Sequence, residues 1–283
     1  MPGKLYICAT PIGNLEDITY RVVRVLNEVD VIACEDTRHS MKLMNHFDIH
    51  TPLTSYHEHN KIEKAAVLVD KMLSGADIAL VTDAGTPAIS DPGEELVRQA
   101  VKAGIEVTSL PGACACITAL TMSGLATRRF AFEAFLPYDK KERRNVLEGL
   151  ANETRTIIIY EAPHHLKATL EELYGTLGDR VLTLCRELTK KHEECIYTMI
   201  CEAIRLYEET EPKGEYVLVI EGADMMALAE SKKQQFLDMP LDEHMGMYTS
   251  QGIDKKEAMK LVAKDRGVSK RDIYNALLEG RKG

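Results

Sequence analysis

The stretch IALVTDAGTPAISDPG, residues 78–93, decides how the rest of the chain is read. Residues 78–81 form a short apolar, β-branched run of the kind that makes a buried strand. The chain then breaks at Asp83-Ala84-Gly85-Thr86-Pro87, which offers one carboxylate, backbone freedom at Gly85 and a φ fixed by Pro87. Ser90-Asp91-Pro92-Gly93 leads into a helix over 94–103 with acids in its first turn, where the helix dipole favours them. A strand that ends in a tight loop and feeds a helix exposes backbone N–H and C=O groups at a sheet's carboxyl edge. Open α/β sheets bind ligands there. An ordinary βα connection would look the same, so the other strand ends carry the decision.

Upstream, residues 5–9 predict a strand that ends in Thr10-Pro11-Ile12-Gly13-Asn14, followed by a helix over 20–28 with Val22, Val23, Val25 and Leu26 on one side. Residues 31–34 predict a second strand ending in Glu35-Asp36-Thr37-Arg38-His39. Two acids, an arginine and a histidine at a strand end suit a site, and equally a solvated turn with a local ion pair. A short helix over 41–47, an extended piece over 51–56 and an amphipathic helix over 61–74 follow. His57-Glu58-His59 has H-x-H spacing but neither an H-E-x-x-H helix nor a cysteine partner, so no metal site is expected. Downstream, a strand over 105–110 runs into Pro111-Gly112-Ala113-Cys114-Ala115, small enough for a ligand to approach the backbone, and a helix over 116–123. Strands alternating with helices predict a mostly parallel α/β domain over residues 1–123.

Residues 124–222 read as a second α/β domain. It opens with phenylalanines alternating over 130–135 and with Lys140, Lys141, Arg143 and Arg144 behind them. Basic residues among aromatics suit RNA, whose phosphates meet guanidinium groups while bases stack on rings; a buried strand face and a solvated helix start would give the same pattern. A strand over 156–160 ends in Glu161-Ala162-Pro163-His164-His165, with a helix over 166–175. A strand over 181–185 leads to the charged run from Arg186 to Glu194, with paired acids for proton handling and cations for phosphates. A helix over 199–208 and a strand over 214–222 complete the domain. Residues 223–250 show little periodicity and read as a mobile linker. Helices over 255–264 and 270–278, around Gly267-Val268-Ser269, make 251–283 a small helix-turn-helix-like module.

The totals agree with such a protein. A chain of 283 residues, 45% hydrophobic and 28% charged, is long enough for two domains. No apolar run approaches the roughly 20 residues of a membrane helix, and residues 1–13 lack a signal-peptide pattern, so a cytoplasmic protein is expected. The seven cysteines form no C-x-x-C pair and mostly lie in apolar runs, which predicts buried free thiols and no zinc. A net charge of −9 argues against a general coating of nucleic acid, but residues 251–283 carry nine Lys/Arg against five Asp/Glu. A basic module on an acidic body suits local contact with nucleic acid.

The segments LYICATPIGNLEDIT, ACEDTRHS, VTDAGTPAISDPG, LPGACACITAL, FLPYDKKERR, IIIYEAPHHL, CRELTKKHEE and GEYVLVIEG occur in this order over about the first 222 residues. Together they resemble the tetrapyrrole methylase superfamily, in particular its branch that methylates a cytidine ribose of small-subunit (16S) ribosomal RNA. Thr10-Pro11-Ile12-Gly13-Asn14 stands where the superfamily usually has a glycine-proline-glycine loop, which favours the RNA branch. The resemblance implies a two-domain fold with an S-adenosyl-L-methionine cleft between the domains, a homodimer, and the small ribosomal subunit and its rRNA as partner. It implies cofactor contacts at Pro11, Asp83, Ala84, Gly85, Thr86, Ser90, Cys114, Ala115, Tyr160, Ala162, Leu188 and Gly214. Transfer to a ribose 2′-oxygen gains from a base, for which Glu35, Asp36, Glu187 and His192 are candidates. Arg38, Arg143, Arg144, Arg186, Lys190 and Lys191 are candidates for phosphate contacts. A tetrapyrrole methyltransferase and a non-catalytic ribosome-binding protein are the alternatives.

Overall fold

The computed structural model describes residues 1–279; residues 280–283 of the expected C-terminal module lie outside the described residues. The first half alternates strand and helix: β1 (Lys4–Cys8), α1 (Tyr20–Glu28), β2 (Val31–Cys34), α2 (Thr37–His46), β3 (Leu53–Ser55), α3 (Lys61–Leu73), β4 (Ile78–Leu80), α4 (Gly93–Lys102), β5 (Glu106–Leu110) and α5 (Ala115–Met122). Its sheet has the order β3-β2-β4-β1-β5 with every pairing parallel, as the alternation predicts. Helices cover both faces, which is why β4 is buried along its whole length. Leu5, Ile7, Ile78 and Leu80 pack against Leu68 and Met72 of α3 and Leu96 of α4. Cys8, Ile32, Cys34 and Ala79 pack against Val22 and Leu26 of α1 and Met44 of α2.

The second half adds β6 (Phe130–Phe135), α6 (Lys140–Leu150), β7 (Thr156–Glu161), α7 (Leu166–Leu177), β8 (Val181–Arg186), β9 (Glu194–Met199), α8 (Ile200–Glu209) and β10 (Tyr216–Ile220). Its order is β6-β7-β10-β8-β9, with only β6–β7 parallel. Along β10, Tyr216, Leu218 and Ile220 enter the core under α7 and α8, while Val217 and Val219 face the other way. That other face is covered by α5, through Cys116, Ala119 and Leu120; one such buried leucine is worth roughly 2 kcal/mol. The expected boundary after Ser123 therefore falls behind a helix that already packs on the second sheet. Both sheets form one compact unit, Met1–Leu150 with Arg155–Glu221.

β9 was not expected. At a sheet edge it buries no residue fully, with Glu194 and Tyr197 exposed and the other four half-buried, so it carries no alternating apolar face in the sequence. The linker expected over 223–250 is also replaced by structure, namely α9 (Met225–Asp238) and α10 (Leu241–Thr249). With α11 (Lys255–Arg266) and α12 (Lys270–Glu279) they belong to a second unit, Ala151–Thr154 with Gly222–Gly283. Its core is Met245, Ala258, Val262, Ala263 and Ile273. No residue of α9 is buried, so it lacks the apolar stripe that announces a helix. At its centre α10 buries a polar residue, His244, stacked on Phe236 at 4.4 Å. Arg266 Nε donates to His244 Nδ1 at 3.2 Å, and His244 Nε2 lies 3.2 Å from Asp265 Oδ2.

Candidate functional site

Loops at strand ends of both sheets enclose a cavity of about 270 Å³. Ala84, Gly85, Thr86 and Ile89 come from the loop after β4, Cys114 and Ala115 from the start of α5, and Ile12 from the loop after β1. The second sheet supplies Tyr160, Glu161 and Ala162 at the end of β7, Glu187 and Leu188 after β8, Glu215 before β10, and Phe135. The walls are mostly apolar with a few fixed polar groups, the usual make-up of a small-molecule site.

Local chemistry fixes each wall. Gly85 has φ +87°, a left-handed conformation that costs a side-chain-bearing residue about 1–2 kcal/mol. It pairs with Thr10 through two backbone bonds: Thr10 N–H donates to the Gly85 carbonyl at 2.9 Å, and Gly85 N–H to the Thr10 carbonyl at 3.1 Å. The Thr86 hydroxyl donates to the Ala113 carbonyl at 2.9 Å, tying the loop after β4 to that after β5. The Tyr160 hydroxyl accepts from Cys116 N–H at 3.0 Å, and Phe132 and Phe135 meet its ring edge-on. Burial pushes that hydroxyl's pKa far up, so it stays protonated. The Cys114 and Cys116 sulfurs lie 3.4 Å apart, and the bond from Cys116 holds the Cys114 thiol well below its ordinary range.

A charged clasp closes one side. Lys190 Nζ donates to Glu187 Oε1 at 2.7 Å and to Glu215 Oε2 at 2.9 Å. Glu187 Oε1 also accepts from Glu215 N–H at 3.0 Å. The Lys190 ammonium keeps the Glu187 carboxyl below the usual range. Partial burial works against the charge on Lys190, but its two carboxylate partners raise its pKa overall. Glu187 has φ +51° and Gly214 φ +79°, and a Cβ on Gly214 would lie 2.4 Å from Glu187 Cγ.

A second cavity, about 610 Å³, shares Ile12, Ala84, Lys190 and Glu215 with the first. It is lined by Pro11, Gly13, Thr82 and Asp83 and, from α2, by His39, Ser40, Lys42, Leu43 and His46.

The structure brings together most, but not all, of the residues singled out from the sequence. Ala84, Gly85, Thr86, Cys114, Ala115, Tyr160, Ala162 and Leu188 line the first cavity, whereas Pro11 and Asp83 line the second. Ser90 is exposed and lines neither, and Gly214 acts from behind, by packing on Glu187. Among the expected bases, only Glu187 lines a cavity. Asp36 caps α2, accepting from Arg38 N–H at 2.8 Å, and pairs with the Arg38 guanidinium, which holds its carboxyl near pKa about 2. Glu35 lies outside both cavities; burial, aided by Asp83 and Asp91, raises its pKa. His192 is exposed outside both.

Four expected phosphate contacts are used within the fold, Arg38 in its pair with Asp36. Arg143 bonds Glu172 at 2.6 Å and Thr169 at 2.7 Å, Arg186 pairs with Glu194 at 3.0 Å, and Lys190 is in the clasp. Arg38, Arg144 and Lys191 are exposed. Sequence reasoning missed Ile12, Ile89, Phe135 and Glu215 in the first cavity and, beyond noting His39 in the turn after β2, gave no role to His39, Lys42 and His46 in the second. The last three carried a signal: spacings of three and four put them on one helical face. No group of His, Cys, Asp and Glu among the described residues could hold a metal ion, and no described helix is long and apolar enough to cross a membrane.

Two α/β sheets whose strand-end loops jointly enclose an apolar cavity are the architecture of one class of methylases. The chain belongs to the tetrapyrrole (corrin/porphyrin) methylase family, which matches residues 4–203. It is 51% identical over 273 residues to the ribosomal RNA small subunit methyltransferase I of Halalkalibacterium halodurans, covering 96% of this chain and 94% of the relative. The Bacillus subtilis protein of that name is 47% identical, over 97% of this chain and 94% of its own length. Among solved structures, the uroporphyrin-III C-methyltransferase of Thermus thermophilus complexed with S-adenosylhomocysteine superposes with a TM-score of 0.56 at 18% identity, covering 77% of this chain and 97% of that one.

Proposed function

We propose that this methyltransferase uses S-adenosyl-L-methionine to methylate the ribose 2′-oxygen of a cytidine in small-subunit ribosomal RNA. The observation that carries the reading is the first cavity, where backbone and apolar walls from six separate loops converge. A volume of about 270 Å³ lies just below the roughly 300–1,000 Å³ of ligand pockets, and the cavity continues into the second one through Ile12 and Ala84. Its walls fit the cofactor: Ile12, Ile89, Leu188 and Val217 are apolar, and Gly85 and Ala115 keep bulky side chains off the wall beside them. When bound, the cofactor supplies an electrophilic methyl carbon on a sulfonium, so the protein has chiefly to align an acceptor oxygen with it.

Ala84, Gly85, Thr86, Cys114, Ala115, Tyr160, Ala162 and Leu188 hold the cofactor, and the Glu187–Lys190 clasp closes over it. Asp83 takes the proton from the ribose 2′-hydroxyl. It lines the second cavity beside Ala84, which both cavities share. One of its oxygens accepts from Asp36 N–H at 3.3 Å, and no lysine or arginine clasps it among the described residues. Arg144 and Lys191, exposed and without an ion-pair partner among the described residues, meet RNA phosphates. A homodimer in the cytoplasm completes the reading.

The relatives named for ribosomal RNA cover 96–97% of the chain, so their likeness runs on into the helices beyond residue 222. This favours RNA over a tetrapyrrole as acceptor. The test is incubation with methyl-labelled cofactor and undermethylated small subunits, followed by nucleoside analysis. Label is expected on a cytidine ribose; label on a base, or none, overturns the reading.

A further inference from the structure

We propose that the second cavity is the docking site of the acceptor nucleotide, with His39, Lys42 and His46 of α2 gripping the phosphates beside the target ribose. The inference rests on the reading of the protein as an RNA methyltransferase and deepens it. At about 610 Å³ the cavity lies within the roughly 300–1,000 Å³ of small-ligand sites. It shares Ile12 and Ala84 with the first cavity, so a group seated here lies beside whatever fills that one.

Charge identifies the occupant. Lys190 on the wall is already held by Glu187 at 2.7 Å and by Glu215 at 2.9 Å, so its charge is spent within the fold. Lys42 has no ion-pair or hydrogen-bond partner among the described residues, and it faces the cavity in a chain whose net charge is −9. An unmatched ammonium on a cavity wall favours an anion. The spacing from His39 to Lys42 to His46 sets one ammonium and two imidazoles, each a hydrogen-bond donor, along one face of α2, over about two helical turns. That row matches a run of phosphates better than a single carboxylate. Leu43, on the same face, gives the sugar or base an apolar seat. Asp83 lines the same cavity, its carboxylate accepting from Asp36 N–H at the start of α2, and there it meets the ribose hydroxyl.

The test is steady-state methylation of undermethylated small subunits by the full-length protein, with cofactor binding measured separately by calorimetry. For Lys42→Ala/His46→Ala we expect KM for subunits to rise about tenfold, kcat to stay within about twofold, and the slope of log KM against log salt to become shallower by about one. Cofactor affinity within about twofold of wild type shows that the variant is folded; if it is lost, Lys42→Gln carries the same readouts. Lys42→Arg should restore most of the affinity for subunits. Unchanged KM and salt slope in a folded variant overturn this proposal while leaving the enzyme's activity in place. A wild-type protein that labels no ribose overturns the underlying function instead.

Discussion

A Cβ on Gly13 would lie 2.9 Å from the carbonyl oxygen of Leu188 and 2.3 Å from Lys190 Cγ. The loop after β1 thus closes on the loop after β8 where only a hydrogen fits. The lysine could swing aside, but the carbonyl belongs to the backbone that shapes the first cavity. Gly13→Ala should therefore open the site, at a cost of about 1–3 kcal/mol. We expect a lower Tm and roughly tenfold weaker cofactor binding by calorimetry. Wild-type affinity in this variant would show that the close approach has no part in shaping the cavity.

Asp83→Asn separates cofactor binding from proton transfer. Asparagine keeps an oxygen for the Asp36 N–H, so the loop retains its shape, but it cannot take a proton. We expect kcat to fall about 100-fold or more with cofactor affinity unchanged. Glu35→Gln should change kcat less than about threefold, because Glu35 lines neither cavity. A near-normal rate in Asp83→Asn would leave alignment as the whole of the catalysis.

Cys114 should be the most reactive of the seven cysteines. Its thiol is half-buried on the cavity wall, begins α5, and is favoured as thiolate by the bond from Cys116. Burial pushes up the pKa of Cys8, Cys34 and Cys185. Iodoacetamide followed by peptide mapping should find Cys114 alkylated first, and S-adenosylhomocysteine should slow that reaction. Equal labelling with and without the ligand would place the cofactor away from this wall.

Strands buried on both faces are the most legible part of the chain, because β4 and β10 are unbroken apolar runs bounded by turns. The loops of the first cavity are legible too, since small residues directly after a buried strand add little packing and leave the backbone open to a ligand. Legibility falls where burial is one-sided or polar. The edge strand β9 and the helix α9 offer no continuous apolar face, and His244 breaks the pattern of α10. Glu35-Asp36-Thr37-Arg38 reads ambiguously for a different reason. A helix cap and its ion pair use the same residue types as an acid–base site, and only the side-chain geometry separates them. Nor could spacing along the chain reveal that Arg143 is spent on Thr169 and Glu172, which lie 26 and 29 residues away.

The Glu187–Lys190 clasp should make the site sensitive to acid. Lys190 depresses the folded-state pKa of Glu187 below its ordinary 4.5. A depressed carboxylate stabilises the folded form fully above the unfolded value, and that contribution is lost as pH falls through the folded one. Tm and cofactor affinity should therefore hold from neutral pH down to about pH 5 and decline below about 4.5. Glu187→Gln removes the charge but keeps an acceptor for Glu215 N–H, so it should lower stability by roughly 1 kcal/mol at pH 7. The gap between the variant and the wild type should narrow as the pH falls, because the wild-type carboxyl is progressively neutralised as well. Melting curves of both proteins from pH 3 to pH 8 check this, and a gap that stays constant across the range would show that the glutamate's charge contributes nothing to the clasp.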